Sequence, residues 1–254
     1  RSKAFEDLDN RIRALRTEEH HHPCRNCPDL QQHLKWGHRW IREMRELNRV
    51  QERYDSRTGS VSRQFDRICD VLTNLGYLDQ HVLTSKGRLL RRIYSEHDLE
   101  LCEAILAGLF DRIDARGLAA VLSSLVYEAR RGEGSEPRYY PGGISGHIAI
   151  ACSRLNTLCA SIDALCEDHG LPEIKQPDFG IVDIMYEWAD GESLASCLRG
   201  TDMTGGDFVR TAKRLADVLQ QIAMAETGSE SLSATAHKAA DLVNRGIVAY
   251  SGVD

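Results

Sequence analysis

The sequence lacks the short motifs that hold nucleotides or carry out common hydrolytic reactions. It contains no G-x-x-x-x-G-K-[ST] phosphate loop, no G-x-G-x-x-G loop, no H-E-x-x-H zinc motif and no G-x-S-x-G nucleophile elbow. These absences argue against a self-contained nucleotide hydrolase or metalloprotease. We therefore expect no catalytic residue and no cofactor within these 254 residues.

Long apolar runs are also missing. No run approaches the roughly 18 residues that a membrane span needs. The first residues, RSKAFEDLDN, contain no apolar stretch of the kind found in signal peptides. We therefore expect a cytoplasmic protein with no membrane partner. Residue 1 is Arg rather than Met, so we also expect the sequence to begin within a longer protein.

Negative charge is unevenly distributed. The formal net charge is −6, yet residues 96–254 contain 13 basic and 25 acidic side chains, whereas residues 1–95 are net basic. A general polyanion-binding protein would be basic throughout. Any contact with nucleic acid is therefore expected to be a local strip of cations, with the acidic surface facing solvent or another protein.

The cysteines fall into two groups. Cys24 and Cys27 form a C-x-x-C next to several histidines, from which a zinc site could be assembled, although His33 and His38 are five residues apart and point to different sides of a helix. A tight turn with two unligated thiols is the preferred interpretation. The other six lie in apolar helical patterns and are expected to be buried thiols: Cys69, Cys102, Cys152, Cys159, Cys166 and Cys197.

The first part of the chain has the composition of a helical arm. Residues 2–20 and 29–57 are rich in Arg, Glu, Leu and Gln, and HHPCRNCP separates them. The second segment has an almost heptad rhythm of apolar residues, which predicts a long helix with one packed stripe. An extended helical hairpin is the expected form. The stripe consists of Leu34, Trp40, Ile41, Met44, Leu47, Val50 and Tyr54.

A short mixed region follows the arm. Ser60 or Ser62 is a plausible N-cap for a helix that stops at Gly76. Alternation around Val82, a turn signal at Lys86-Gly87 and the apolar segment 89–93 then predict a small β-hairpin. A helix followed by a hairpin is the ending of a winged-helix unit. The remaining chain reads as helices near 96–110, 114–131, 143–169, 178–199, 205–226 and 231–250, with an exposed loop at 133–143 and no need for strands.

The segment GGDFVRTAKRLADVLQQIA, residues 205–223, predicts a strongly amphipathic helix. Phe208, Ala212, Leu215, Leu219 and Ile222 recur at intervals of three and four, which lines one helix face. The opposite face carries several cations on an otherwise acidic half of the chain. Such a face is suited to an anionic ligand, although a solvated helix face is the simpler alternative. Its polar residues are Arg210, Lys213, Arg214, Asp217 and Gln221.

Two other segments could bind nucleic acid. Lys86, Arg88, Arg91 and Arg92 in the wing-like TSKGRLLRR could approach a phosphate backbone or bond to a neighbouring domain, and the second is favoured because no basic recognition helix is apparent. Residues 190–215 could form a helix-turn-helix. The turn from Gly200 to Gly206 is longer than that motif usually has, so this alternative is less favoured.

Several long stretches resemble the C-terminal (DSHCT) domain of the Ski-like, exosome-associated superfamily-two RNA helicases. They are SKGRLLRRIYSEHDLELCEAILAGLFDRIDARGLAAVLSSLVYEAR, FGIVDIMYEWADGESLASCLRGTDMTGGDFVRTAKRLADVLQQI and NRGIVAYS. The spacing of HHPCRNCPD looks most like the actinobacterial, HelY-type branch. The resemblance covers about residues 85–254 well and 20–60 less fully.

The resemblance implies a mainly α-helical architecture. Residues 1–57 would be one limb of a helical stalk, residues 58–95 the second part of a winged helix with its β-hairpin, and residues 96–254 a C-terminal helical bundle. The family's two RecA-like motor domains, which hold ATP and Mg²⁺, and the β-rich tip of its arch have no counterpart here. ATP hydrolysis is therefore not carried over to these residues.

The resemblance also implies a role for the amphipathic helix. In this family a "ratchet" helix of the bundle lies across the single strand, and residues 205–222 match it. Arg210, Lys213 and Arg214 would then face single-stranded RNA, or DNA, with Asp217 and Gln221 as polar neighbours and Glu128 near the same channel. Arginine suits this role because its guanidinium both bonds phosphate and stacks on bases.

The implied function is an accessory region of an ATP-dependent RNA helicase that guides RNA and scaffolds the motor domains. RNA-degradation machinery would be a further partner. Two other functions remain open from the residues: a free-standing helical adaptor that binds proteins through its acidic bundle, and a DNA-binding regulator that uses the winged-helix or helix-turn-helix segment.

Overall fold

The fold is that of a computed structural model that describes residues 3–129 and 135–250, with side chains described for all of these except residues 3–7 and 55–58. Its described part is mainly α-helical, which confirms the predicted fold class. The elements in chain order are α1 (Lys3–His21), a 3-10 turn (Pro23–Asn26), α2 (Leu30–Asn74), β1 (Leu78–Asp79), β2 (Val82–Leu83), α3 (Ser85–Leu90), α4 (Asp98–Leu106), α5 (Ala115–Ser123), α6 (His147–Asp168), α7 (Val182–Asp190), α8 (Leu194–Cys197), α9 (Gly205–Met224), α10 (Glu230–Val243) and α11 (Gly246–Tyr250).

The chain divides into two compact units, residues 1–63 and 64–254. The first contains α1, the 3-10 turn and the first part of α2. Its predicted apolar stripe is not packed: Trp40 is 65% exposed and Tyr54 is 66% exposed. The prediction of a packed stripe is therefore wrong for this chain, and the heptad rhythm instead produces an exposed apolar face.

Helix α2 is longer than the sequence predicts. It continues through Ser60 and Ser62, so the prediction that one of them caps a new helix is wrong. No proline interrupts residues 30–74. A serine within a run of good helix formers such as Gln51, Glu52 and Arg53 lowers helix stability by only a few tenths of a kcal/mol to about 1 kcal/mol. The predicted stop at Gly76 is confirmed, because this residue has a φ of 80° just after the helix end.

The β-hairpin is present but lies earlier than the sequence predicts. β1 and β2 pair antiparallel, with Leu78 opposite Leu83, across a turn in which Gln80 and His81 have positive φ angles of 46° and 69°. The expected hairpin turn at Lys86-Gly87 is wrong, because both residues lie in α3. Thr84 caps that helix by accepting a hydrogen bond from the Gly87 amide, 3.2 Å away. A Cβ at Gly87 would lie 2.4 Å from the Tyr77 carbonyl oxygen, so only glycine fits there.

The second unit has one main core, built where α9 packs against α10 and α5 packs against α7. The predicted apolar face of α9 is confirmed, because its five residues are all fully buried. Trp188 of α7 meets Phe208 of α9 edge to face, with ring centroids 5.4 Å apart. Among the described residues no strand follows residue 95, as expected.

By length and composition alone, helix α6 is long and apolar enough to span a membrane. Core helices pass the same test, and α6 buries Leu155, Cys159 and Ile162 against neighbouring helices. We therefore interpret α6 as part of the core.

The cysteines largely follow the prediction. All eight are free thiols, and five of the six cysteines expected in the core are buried, whereas Cys69 is only half-buried. Burial raises the pKa of the Cys102, Cys152 and Cys159 thiols to about 12. It raises the pKa of Cys197 to about 11.

We expect this burial to protect the core thiols from alkylation. In the native chain at pH 8, iodoacetamide should modify Cys24 and Cys27 readily and leave the five buried cysteines unmodified, since reaction requires an accessible thiolate. Peptide mass spectrometry before and after unfolding in urea measures this pattern. Rapid native modification of Cys102 or Cys159 would contradict the core described above.

The raised thiol pKa values also predict a pH dependence of stability. The folded chain holds these protons above the pH at which the unfolded chain, with ordinary thiol pKa values, releases them. The free energy of unfolding should therefore be insensitive to these groups below about pH 8 and fall from about pH 9 to about pH 11, by up to about 1.4 kcal/mol per pH unit for each thiol. Urea unfolding across this range measures the slope. Cys102→Ala should make the slope less steep. An unchanged slope would contradict the raised pKa of the Cys102 thiol.

Candidate nucleic-acid interface

Helix α9 presents the predicted cations on the side opposite its buried face. The helix begins after Thr204, whose hydroxyl accepts a hydrogen bond from the Asp207 amide and donates one to an Asp207 carboxylate oxygen 2.7 Å away. This cap fixes the first turn. Because the apolar face is buried, Arg210 and Arg214 project outward and are exposed, and Lys213 between them is half-buried.

Arg210 forms an ion pair with Asp207 one turn earlier. The Arg210 side chain remains 67% exposed in this pair. Exposed pairs of this spacing contribute only about 0.3–0.5 kcal/mol, because solvent screens them. The pair therefore orients the guanidinium without sealing it, and a phosphate could compete for it.

These cations line an open groove of about 1340 Å³. Arg210, Lys213 and Arg214 form one wall, and Ile181 and Ile184 also line the groove. Ser135, Glu136 and Arg138 also line the groove, together with the carboxylates of Glu128, Asp202 and Asp207. Four of the six predicted nucleic-acid-binding residues, namely Arg210, Lys213, Arg214 and Glu128, are therefore brought to one groove.

Glu128 is already partnered by a lysine. The Lys175 ammonium lies 2.8 Å from a Glu128 carboxylate oxygen and 3.4 Å from one of Glu96. Its hydrogen bond with Glu128 raises the pKa of Lys175, although partial burial opposes the shift. On this side of the groove one lysine is paired with two carboxylates, so apart from Arg138 the cations of the groove lie on α9.

Asp217 and Gln221, the other two predicted residues, do not line the groove. The Gln221 side-chain oxygen accepts a hydrogen bond from the Tyr94 amide, 2.7 Å away, and its amide nitrogen donates to Asp217 at 2.9 Å. The pair therefore joins α9 to the segment that follows α3. Contact of these two residues with nucleic acid remains a prediction.

Asp178 holds the groove wall in place, a role that sequence reasoning missed. One carboxylate oxygen accepts hydrogen bonds from the Ser135 amide, the Ser135 hydroxyl and the Gly180 amide at 3.2, 2.7 and 3.0 Å. The other accepts from the Ala129 amide at 2.9 Å. A Cβ at Gly180 would lie 1.8 Å from the Ser135 hydroxyl oxygen, so only glycine fits at this position. The predicted helix near 178–199 included Asp178, whereas in the structure α7 begins only at Val182 and Asp178 lies in the irregular segment before it.

Arg138 anchors the same wall to α7. Its guanidinium donates to the buried carboxylate of Asp183, to Glu187 at 3.3 Å and to the Arg199 carbonyl oxygen at 3.3 Å. Burial alone would lower the pKa of Arg138, but the bonds to Asp183 and Glu187 outweigh it and the pKa is raised. Asp183 is fully buried, and its other carboxylate oxygen has no hydrogen-bond partner in the described part of the chain. Arg138 is thus committed to neutralising a buried charge.

Among the cations after β2, Lys86 has partners within the second unit. Lys86 lies 2.6 Å from a Glu103 oxygen and 2.7 Å from the Leu75 carbonyl oxygen, and sits over the Tyr77 ring. It therefore packs within its own unit. Arg88, Arg91 and Arg92 are exposed. For the helix-turn-helix alternative, α8 is a single turn of four residues, shorter than such a motif requires.

The C-x-x-C segment lies in the 3-10 turn between α1 and α2. The Cys27 sulfur is 3.6 Å from the His33 Nδ1, and the His22 Nδ1 accepts a hydrogen bond from the Cys24 amide. Within residues 3–129 and 135–250, no group of three or more His, Cys, Asp or Glu side chains is arranged to hold a metal ion. Cys24 lies within the 3-10 turn, and Cys27 caps its end.

Comparison with known proteins gives a consistent family. The profile of the DSHCT (NUC185) domain matches residues 80–251. The chain is 31% identical over 252 residues to "Probable helicase HelY" of Mycobacterium tuberculosis (strain ATCC 25618 / H37Rv), a match that covers 95% of the chain and 28% of that protein. It is 23% identical to "Antiviral helicase SKI2" of Saccharomyces cerevisiae (87% of the chain, 18% of that protein). It is 26% identical to "Exosome RNA helicase MTR4" of Homo sapiens (61% and 15%). The chain thus spans less than a third of the length of these relatives.

We expect Asp178→Ala to lower the free energy of unfolding by about 3 kcal/mol, because it leaves four part-buried donors without an acceptor. Equilibrium unfolding in urea measures the change. Asp202→Ala is the matched control, since Asp202 lines the same groove but is exposed, and should change stability by less than about 0.5 kcal/mol. Equal stability of the two variants would contradict the role of Asp178 in holding the groove wall.

Proposed function

Because the chain belongs to the DSHCT domain family, we propose that it is an accessory region of an ATP-dependent RNA helicase and that its α9 guides single-stranded RNA. The observation that carries this proposal is the placement of Arg210, Lys213 and Arg214 along one open groove. The names of the relatives bearing this region describe helicases, and that of the human relative describes an exosome RNA helicase. In this proposal the chain contributes strand guidance and not chemistry.

Charge supports a polyanion at this groove. Residues 96–254 are strongly acidic, so a groove lined by as many cations as carboxylates, with three of the cations on one helix face, is a local exception. Phosphate contacts supply most of the sequence-independent affinity for nucleic acid. The two arginines are one helical turn apart, and each can bond a phosphate or lie flat against a base.

The lining of the groove suits a single strand. It combines residues of the irregular segments 127–129 and 200–203 with residues of α9, whose apolar face is buried. A packed helix keeps its cations at fixed spacing, which suits a strand that moves past it in steps. We propose that the steps come from ATP-driven motor domains elsewhere in a longer protein, where ATP and Mg²⁺ would bind.

The same proposal includes the wider setting. RNA-degradation machinery would be a partner of the longer protein, and the cytoplasm would be its location. The groove itself needs neither of them to bind a strand.

We expect the double variant Arg210→Ala, Arg214→Ala to bind single-stranded RNA about tenfold more weakly at about 0.1 M salt, because it cannot bond two phosphates that the wild type bonds. The slope of log K against log salt should fall by about 1.4, or about 0.7 for each phosphate. The melting temperature should stay nearly unchanged because both side chains are exposed. Fluorescence anisotropy at several salt concentrations and thermal unfolding provide the measurements.

The matched control is Arg88→Ala, Arg92→Ala, which removes the same charge from another exposed segment. It should bind RNA almost as the wild type does. If both double variants lose affinity equally, binding reflects overall charge; if neither loses affinity, α9 does not contact the strand. Either outcome would overturn the proposal.

A further inference from the structure

A second groove adjoins the first on the far side of residues 135–138. It has a volume of about 710 Å³ and is lined by Tyr139, Tyr140 and Ile144 together with residues of α6. Ile144 is 84% exposed and Tyr139 is 47% exposed. The surface therefore offers aromatic and aliphatic side chains to solvent directly beside the cationic groove.

The two grooves share a wall. Ser135, Glu136 and Arg138 line both of them. We call residues 135–138 the ridge. Ser135 is hydrogen-bonded to the buried carboxylate of Asp178, and Arg138 to that of Asp183. These bonds fix the position of the ridge. A flexible polymer that lies in the first groove and crosses the ridge would enter the second.

Tyr139 is fixed in position although its ring is half open to solvent. Its hydroxyl donates a hydrogen bond to a Glu187 carboxylate oxygen at 2.7 Å, the same residue whose other oxygen accepts from Arg138. Burial and this bond raise the pKa of Tyr139 to about 12. The ring is therefore oriented before any ligand arrives, which lowers the entropy cost of binding.

The chemistry of the second groove favours bases over phosphates. Arg138 is the one Lys or Arg among its described lining residues, and its guanidinium is already bonded to Asp183 and Glu187. Glu136 adds a negative charge, although the Tyr140 hydroxyl donates to it at 3.0 Å. A phosphate would find no free cation among these described residues. A nucleobase would find an exposed, oriented ring, and every base can stack on such a ring.

We propose that the second groove is a base-stacking subsite for the same single-stranded RNA, with the ring of Tyr139 as its platform. This inference rests on the proposed function, because the strand must first occupy the cationic groove. The first groove then holds the strand by its phosphates, and the second holds it by a base on the other side of the ridge. The two contacts differ in salt dependence, since stacking releases few counterions.

The experiment compares the wild-type chain with Tyr139→Ala, Tyr139→Leu and Tyr139→Phe in anisotropy titrations with a uridine-rich RNA strand. Tyr139→Ala and Tyr139→Leu should each weaken binding by about fivefold, the lower end of the range for one stacked base, with the salt slope unchanged. Tyr139→Phe keeps the ring and should bind within about twofold of the wild type. Thermal unfolding of each variant shows that it is folded, and Tyr139→Leu keeps the side-chain bulk if Tyr139→Ala does not fold.

A second kind of strand separates stacking from structural effects. Two such strands are used, each of the same length as the intact strand. One has abasic sugars in place of bases over its 5′ half, and the other has them over its 3′ half. The wild type should bind one of these strands about fivefold more weakly, and Tyr139→Ala should show no further loss of affinity, because the stacked base is absent in both cases. A loss of affinity in Tyr139→Ala that is equal for intact and abasic strands would overturn the subsite, since Tyr139 would then act only through the fold.

The outcomes also separate this inference from the proposed function. If Tyr139→Ala and Tyr139→Leu bind as the wild type while Arg210→Ala, Arg214→Ala weakens binding, the stacking subsite is overturned and the cationic groove stands. If the arginine variant also binds as the wild type, the proposed function is overturned together with the subsite.

Discussion

Burial of one face of α9 is the constraint on which the site depends. Phe208, Leu215, Leu219 and Ile222 are fully buried, and each such side chain contributes about 1.5–3 kcal/mol through removal of apolar surface from water. The helix cannot rotate without exposing them. Because the polar residues occupy the remaining face, the same packing that stabilises the bundle also aims Arg210 and Arg214 into the groove. The core thus determines the geometry of the surface.

The groove wall opposite α9 depends on a different interaction, the neutralisation of buried carboxylates. Asp178 and Asp183 lie in the interior, where an unpaired charge would be strongly destabilising. Donors from Ala129, Ser135 and Gly180 satisfy Asp178, and the guanidinium of Arg138 neutralises the charge of Asp183 by bonding one of its two oxygens. The irregular segment therefore gains a defined conformation without regular secondary structure. Its rigidity comes from charge compensation, whereas that of α9 comes from apolar packing.

The sequence predicted the regular parts of the fold and missed those set by tertiary contacts. The spacing of Phe208, Ala212 and Leu215 was sufficient to place α9 and its two faces, because helical periodicity is a local signal. The turn at Gln80-His81 carries no Gly or Asn, so nothing local marked it. For the candidate site, spacing placed Arg210, Lys213 and Arg214 on one face, but the ridge could not be found because its carboxylate partners are more than 40 residues away in sequence. The exposed stripe on α2 was misread for a related reason: periodicity shows that a face is apolar and not what covers it.

Because α9 contributes one face to the core and the other to the groove, its length cannot vary freely among related chains. One residue inserted within the helix would turn every later side chain by about 100°, so the arginines and the buried apolar residues would leave their places together. The connection between α8 and α9 carries no such constraint, since Thr204 restarts the helix whatever precedes it. Insertions and deletions in relatives should therefore accumulate before Thr204, and α9 should keep a constant register from its cap to Ile222.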